Sequence, residues 1–178
     1  MPQDISGYDV GALLYCPANA HHTVAQAAAA ERLPRPFSLA LCLEDTVRAD
    51  ALAAAEQAVE QTLHDLTDTA RQETFYRPLT FVRVRSPEQL ARLGRAYGKY
   101  RPLLTGFILP KFFIETCGAY CAVIRDLQAD GLDYFYMPVF EAPSMLPLHT
   151  RHAALAEVKA QLDALRECIL NIRVGGND

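Results

Sequence analysis

Short, almost unbroken apolar runs alternate along this chain with longer stretches in which apolar residues return every three or four positions. The runs lie at 12–17 (ALLYCP), 37–43 (FSLALCL), 79–84 (LTFVRV), 104–109 (LTGFIL), 134–140 (YFYMPVF) and 170–175 (LNIRVG). Each closes on polar or turn-forming residues, so each predicts a strand. They are too continuously apolar to be buried on one face only, which predicts a parallel sheet covered by helices. The intervening stretches, 21–32, 49–70, 87–99, 113–129 and 151–168, are rich in Ala, Leu, Glu, Gln and Arg and predict helices. Ser86-Pro87-Glu88 has the form of a helix start, with Ser at the N-cap and Pro at the first helical position. Leu33-Pro34-Arg35-Pro36 predicts the turn into the second strand.

Repeated strand-helix units with right-handed crossovers build either an open doubly wound sheet or a barrel, and periodicity alone does not choose. No GxGxxG follows the first run, which removes the usual dinucleotide-binding version. The 178 residues, 51% hydrophobic, are enough for one cored domain, expected over 1–178. A closed eight-stranded barrel needs at least about 200 residues. Six strands would leave it open, so the chain is expected to be a piece of a longer protein, cut after the sixth strand; the alternative is a partial barrel whose open edges something else covers.

The net charge of −4 comes from interspersed acids and bases, without the basic stripe that nucleic acid or an anionic membrane would require. The start has no basic n-region, and no stretch approaches the roughly 20 apolar residues that span a bilayer. These features predict no nucleic-acid or membrane partner and a cytoplasmic location. Five cysteines, without zinc-ribbon spacing, are expected to be reduced thiols. Cys117 and Cys121, four apart on a predicted helix, are expected to be small core side chains rather than half of a metal site.

In either architecture, chemistry gathers at the carboxyl ends of the strands. The residues arriving there are Asn19 after the first run, Glu44 and Asp45 after the second, Arg83 and Arg85 at the third, Lys111 after the fourth, Glu141 after the fifth, and Asn177 and Asp178 after the sixth. Glu141 and Asp178 are two hard oxygen donors suited to holding a cation with open positions, magnesium by ligand type. An arginine beside such a site would add a fork of donors for a carboxylate or a developing enolate. His21 and His22 are adjacent and so face different directions on a helix; His149 and His152 are expected to face solvent.

In this order, "LLYCPANAHHTVAQAAA", "LALCLEDTV", "FVRVRSPE", "GFILPKF", "PVFEAP" and "IRVGGND" resemble the signature segments of the citrate lyase beta-subunit and HpcH/HpaI aldolase family. The resemblance spans nearly the whole chain. It implies an α/β fold, a (β/α)8 TIM-type barrel of which this chain supplies about six strand-helix units. It further implies Mg2+-dependent making or breaking of a carbon-carbon bond beside a carboxylate or thioester, through a metal-stabilised enolate. By the same motifs, Glu141 and Asp178 would be the metal ligands, Arg83 would steady the substrate carbonyl or enolate, and Glu44 and Asp45 would lie next to the metal and its waters. Asn19, Arg85 and Lys111 join Arg83 as candidate substrate contacts. Lys111 invites a Schiff base, but its Leu-Pro-Lys setting is that of the metal-dependent family. A homotrimer or homohexamer is also implied.

The departures bear on substrate. Ala18 replaces the glycine of Pro-Gly-Asn, Cys42 replaces the first acid of Leu-Asp-Leu-Glu-Asp, and Arg85 stands where Asn is usual. They fit a divergent branch, of the kind associated with tellurite-resistance gene clusters. The expected activity is that of a lyase on a hydroxy acid or hydroxyacyl-CoA thioester, similar to citryl-CoA or malyl-CoA lyase. The rivals are a pyruvate or oxaloacetate aldolase that uses no CoA, and a barrel without catalysis that serves as a binding module.

Overall fold

A computed structural model of the chain describes residues 5–17, 27, 32, 35–72 and 75–175. Two compact units contain them: the described residues of Asp4–Arg83 with Tyr97–Gly106, and those of Val84–Ala96 with Phe107–Asp178. The first holds β1 (Ala12–Pro17), β2 (Phe37–Cys42), α1 (Leu52–Gln72), β3 (Leu79–Arg83) and the opening residues of β4 (Leu104–Leu109). The second holds the rest of β4, α2 (Pro87–Ala96), α3 (Cys117–Ala129), β5 (Phe135–Phe140), α4 (Leu148–Asp163) and β6 (Arg173–Val174).

In the first unit the strands follow chain order, β1-β2-β3-β4, and in the second β4-β5-β6. A doubly wound sheet would break that order at its switch point, whereas a barrel is wound in it. Parallel ladders join β1 to β2, β2 to β3 and β5 to β6. Cys42 is in register with Pro17 on one side and with Arg83 on the other, so the carboxyl ends of β1, β2 and β3 are level.

Every residue of β2 is buried, as its apolar run predicts. β1 and β6, at the two ends of the strand order, depart from the prediction of full burial: Tyr15 is 42% exposed and Val174 75%. β6 is also shorter than the 170–175 run; its pairing with β5 is continued only by an isolated bridge from Ile169 to Tyr136. Among the described residues each of these two strands has a neighbour on one side only, so no adjoining strand's side chains flank theirs on the other.

The helices bury the stripes that the sequence marks. α1 turns Ala55, Val59, Leu63 and Leu66 inward, and α3 turns in Cys117, Tyr120, Cys121, Ile124 and Leu127. Ser86 caps α2 as predicted, its hydroxyl accepting the Gln89 N–H at 3.3 Å, while the Gln89 side chain accepts the Arg85 N–H at 2.7 Å. α2 packs on α3 closely enough that a Cβ on Gly94 would stand 2.7 Å from Leu127 Cδ1. α3 begins at Cys117 instead of 113, because Phe113–Thr116 forms a separate turn, and α4 is Leu148–Asp163 instead of 151–168. His149 and His152 are exposed. The predicted helix at 21–32 falls largely outside the described residues. No helix among the described residues is long and apolar enough to cross a membrane.

All five cysteines are free and buried. Burial pushes Cys16, Cys121 and Cys168 up to about 11 from 9.0, with Cys42 adding to the shift at Cys16, and it also raises Cys117. Between these values the folded state holds thiol protons that the unfolded chain releases, so stability must fall as pH rises from about 9 to 11. The midpoint of urea unfolding is therefore expected to be lower at pH 10.5 than at pH 8. A thiol reagent at pH 8 should label the native protein slowly and all five sites rapidly after unfolding; fast native labelling would contradict this burial.

Candidate functional site

Within the first unit, the level ends of β1, β2 and β3 collect one cation, two carboxylates and an aromatic face. Arg83 is the last residue of β3, and its side chain is only 12% exposed. Its Nη2 lies 2.9 Å from Glu44 Oε2 and 3.2 Å from Asp45 Oδ2. Glu44 is 8% exposed and Asp45 48% at the side chain. Glu44 Oε2 also accepts the Asp45 backbone N–H at 3.0 Å, and the Leu43 N–H donates to the Arg83 carbonyl at 3.0 Å. The Tyr15 ring stands 5.8 Å from the guanidinium carbon, within cation-π range. The structure therefore brings Arg83, Glu44 and Asp45 together.

A buried guanidinium needs partners that satisfy its planar donors, and Glu44 supplies the buried charge while Asp45 stays accessible to solvent. Cys42, in register with Arg83, is 1% exposed. Tyr15 was not singled out in the sequence, since an aromatic inside an apolar run reads as core. The only signal available was its place two residues before the end of β1.

Within the second unit, Glu141 follows β5 directly and is partly buried. Its Oε1 accepts the Lys111 backbone N–H at 3.0 Å. Its other face rests on Gly175: a Cβ there would lie 2.5 Å from Glu141 Oε2 and 2.7 Å from Glu141 Cβ. Gly175 is held in turn by its N–H on the Phe140 carbonyl at 3.1 Å. The reason for a glycine at this strand end is thus close approach: only a residue without a side chain leaves room for the carboxylate. Beneath it, Phe112 stacks on Phe140 at 6.4 Å, and Phe113 meets the same ring edge-on.

Lys111 is exposed and adopts φ 50°, the only positive φ outside glycine among the described residues. Arg85 lies in a bend beyond the end of β3, so the two-residue strand period that would align it with Arg83 no longer applies. Asn19, Asn177 and Asp178 lie outside the described residues, as do Ala18, His21 and His22. Among the described residues there is no group of three or more His, Cys, Asp or Glu side chains that could hold a metal ion. Cys117 and Cys121 do share the buried face of α3.

Parallel strands wound in chain order, with charge gathered at their carboxyl ends, define an α/β protein of the barrel class. The family described as C-C_Bond_Lyase of the TIM-Barrel fold matches residues 4–178, and the chain belongs to it. The fold is thus that of a TIM-type barrel, to which these residues contribute six strands, and the activity of the family is carbon-carbon bond cleavage. No curated protein matches the chain.

Removing the guanidinium leaves Glu44 buried without its counter-ion. Arg83→Met is expected to lower stability by about 3–5 kcal/mol, the usual cost of breaking a buried pair. Asp45→Asn, at a half-exposed partner, should cost within about 1 kcal/mol. Urea unfolding of the two variants checks the order; equal losses would contradict the assigned burial.

Proposed function

We propose that this protein is a Mg2+-dependent carbon-carbon lyase, a divergent relative of the citrate lyase beta-subunit and HpcH/HpaI aldolases, acting on a hydroxy acid or its CoA thioester. The observation that carries the reading is Glu141: a carboxylate at the end of a barrel strand, oriented by the Lys111 N–H and by the bare backbone of Gly175. Its oxygens are hard donors of the kind that magnesium selects. Asp178, the expected second ligand, follows Gly175 by three residues.

When bound, the ion supplies Lewis-acid polarisation of substrate oxygens. The remaining chemistry falls to the chain. In the cleavage of a hydroxy acid, the hydroxyl loses its proton and becomes a carbonyl. The adjacent carbon-carbon bond breaks, and its electron pair passes into the departing fragment as an enolate, which then takes up a proton. Arg83 donates to the oxygen on which that negative charge develops. Glu44 holds the guanidinium in place from its buried side, at 2.9 Å. Asp45, half-exposed, accepts or returns the proton. Asn19, Arg85 and Lys111 contribute to substrate binding in this reading.

A recess of about 310 Å³ lined by Thr46, Val47, Arg48, Ala51, Ala54, Ala55 and Ala58, beginning directly after Glu44 and Asp45 in the chain, offers room for an extended substrate arm and so favours the thioester in this reading. The alternative, an aldolase for pyruvate or oxaloacetate without CoA, needs no such recess. Binding of CoA to the purified protein separates the two. The proposal extends to a cytoplasmic homo-oligomer, trimeric or hexameric, with neither nucleic acid nor membrane as partner.

Glu141→Gln keeps the size of the side chain and removes its charge. It is expected to abolish Mg2+ affinity measured by calorimetry, and Gly175→Ala should weaken it by pushing the carboxylate aside. Unchanged affinity in Glu141→Gln would sink the assignment.

A further inference from the structure

We infer that Thr116 is a positioning residue whose hydroxyl latches the left-handed turn at Lys111 and so holds the Lys111 amide against the Glu141 carboxylate. The functional consequence rests on the proposed role of Glu141; the latch itself does not.

Thr116 stands at the N-cap of α3, where a threonine hydroxyl ordinarily accepts an N–H of the first helical turn. It makes no such cap bond. Its hydroxyl instead donates to the Lys111 carbonyl at 2.7 Å and accepts the Phe113 N–H at 3.3 Å. Both capacities of the hydroxyl therefore serve the loop between β4 and α3 and not the helix it precedes.

That loop has an unusual task. In an extended strand, consecutive amides point in opposite directions. Here two consecutive amides grip the same neighbour: Lys111 N–H donates to Glu141 Oε1 at 3.0 Å, and Phe112 N–H donates to the Val139 carbonyl at 3.0 Å. A left-handed residue turns successive N–H groups to one side, as in backbone nests that bind anions. Lys111, at φ 50°, is that residue, and its Cβ makes the conformation costly without outside support. Thr116 supplies the support by closing the ring from residue 111 to residue 116. The result is a carboxylate oriented by a backbone amide, with Gly175 limiting its other side.

Two substitutions separate the hydroxyl from the shape of the side chain. Thr116→Val keeps the shape and loses both bonds; Thr116→Ser keeps the hydroxyl. In the metal-free protein, amide hydrogen exchange followed by NMR should show Lys111 protection falling about tenfold or more in Thr116→Val, holding within about twofold in Thr116→Ser, and unchanged at Ile124 in the middle of α3. Titration with Mg2+ should then give about tenfold weaker binding for the valine variant and near-normal binding for the serine variant. Unchanged Lys111 protection, or a loss shared equally by Ile124, would overturn the latch, since the second result marks a helix cap and nothing more. Lost protection with unaltered Mg2+ affinity would overturn the positioning role. If the unsubstituted protein binds no Mg2+, the reading of Glu141 as a metal ligand fails by itself, and exchange alone decides whether Thr116 holds Lys111.

Discussion

Parallel pairing in chain order brings successive strand ends level with one another, and the candidate chemistry follows from that constraint. In the first unit, the register of Pro17, Cys42 and Arg83 delivers Glu44, Asp45 and the Arg83 guanidinium to one place. In the second, the pairing of β5 with β6 sets Gly175 against Glu141, through the bond from the Gly175 N–H to the Phe140 carbonyl. Neither cluster is local in sequence: Arg83 meets carboxylates some forty positions earlier, and Glu141 meets an amide thirty positions earlier. A slip of one residue in either ladder would send these side chains to the opposite face.

The two clusters handle charge differently. Arg83 and Glu44 are both largely withdrawn from water and paired at 2.9 Å, so each is costly without its partner. Glu141 has a backbone amide and a close-packed glycine about it, an arrangement that directs its oxygens with dipoles and sterics. The first suits a fixed positive charge beside a developing anion. Under the proposed function, the second suits a metal ligand whose direction must be set before the ion arrives.

Much of the fold was legible because buried parallel strands leave continuous apolar runs. β2, β3, β4 and β5 fall within one residue of their predicted limits, and Ser86 caps α2 where its spacing indicates. The sixth strand was less legible, since the run at 170–175 marks hydrophobicity and not the presence of a second neighbour. The start of α3 was hidden because Phe113–Thr116 has helical composition yet closes the turn at Lys111. Glu141, Arg83, Glu44 and Asp45 stood out as charges at strand ends. Tyr15 and Thr116 did not, because what they do depends on long-range register or on a backbone angle that no residue type announces. The choice between barrel and doubly wound sheet needed the strand order itself, joined to the family that the chain matches.

An enolate is the species that this account requires, and its formation can be read without knowing the natural substrate. Pyruvate, oxaloacetate and short acyl-CoA thioesters incubated with the protein in D2O and Mg2+ would be followed by proton NMR for exchange at the carbon next to the carbonyl. Exchange on at least one of them, abolished by EDTA and by Arg83→Met, is the predicted result. Mg2+ bound normally with no exchange on any of these compounds would contradict catalysis and leave a barrel that binds without cleaving.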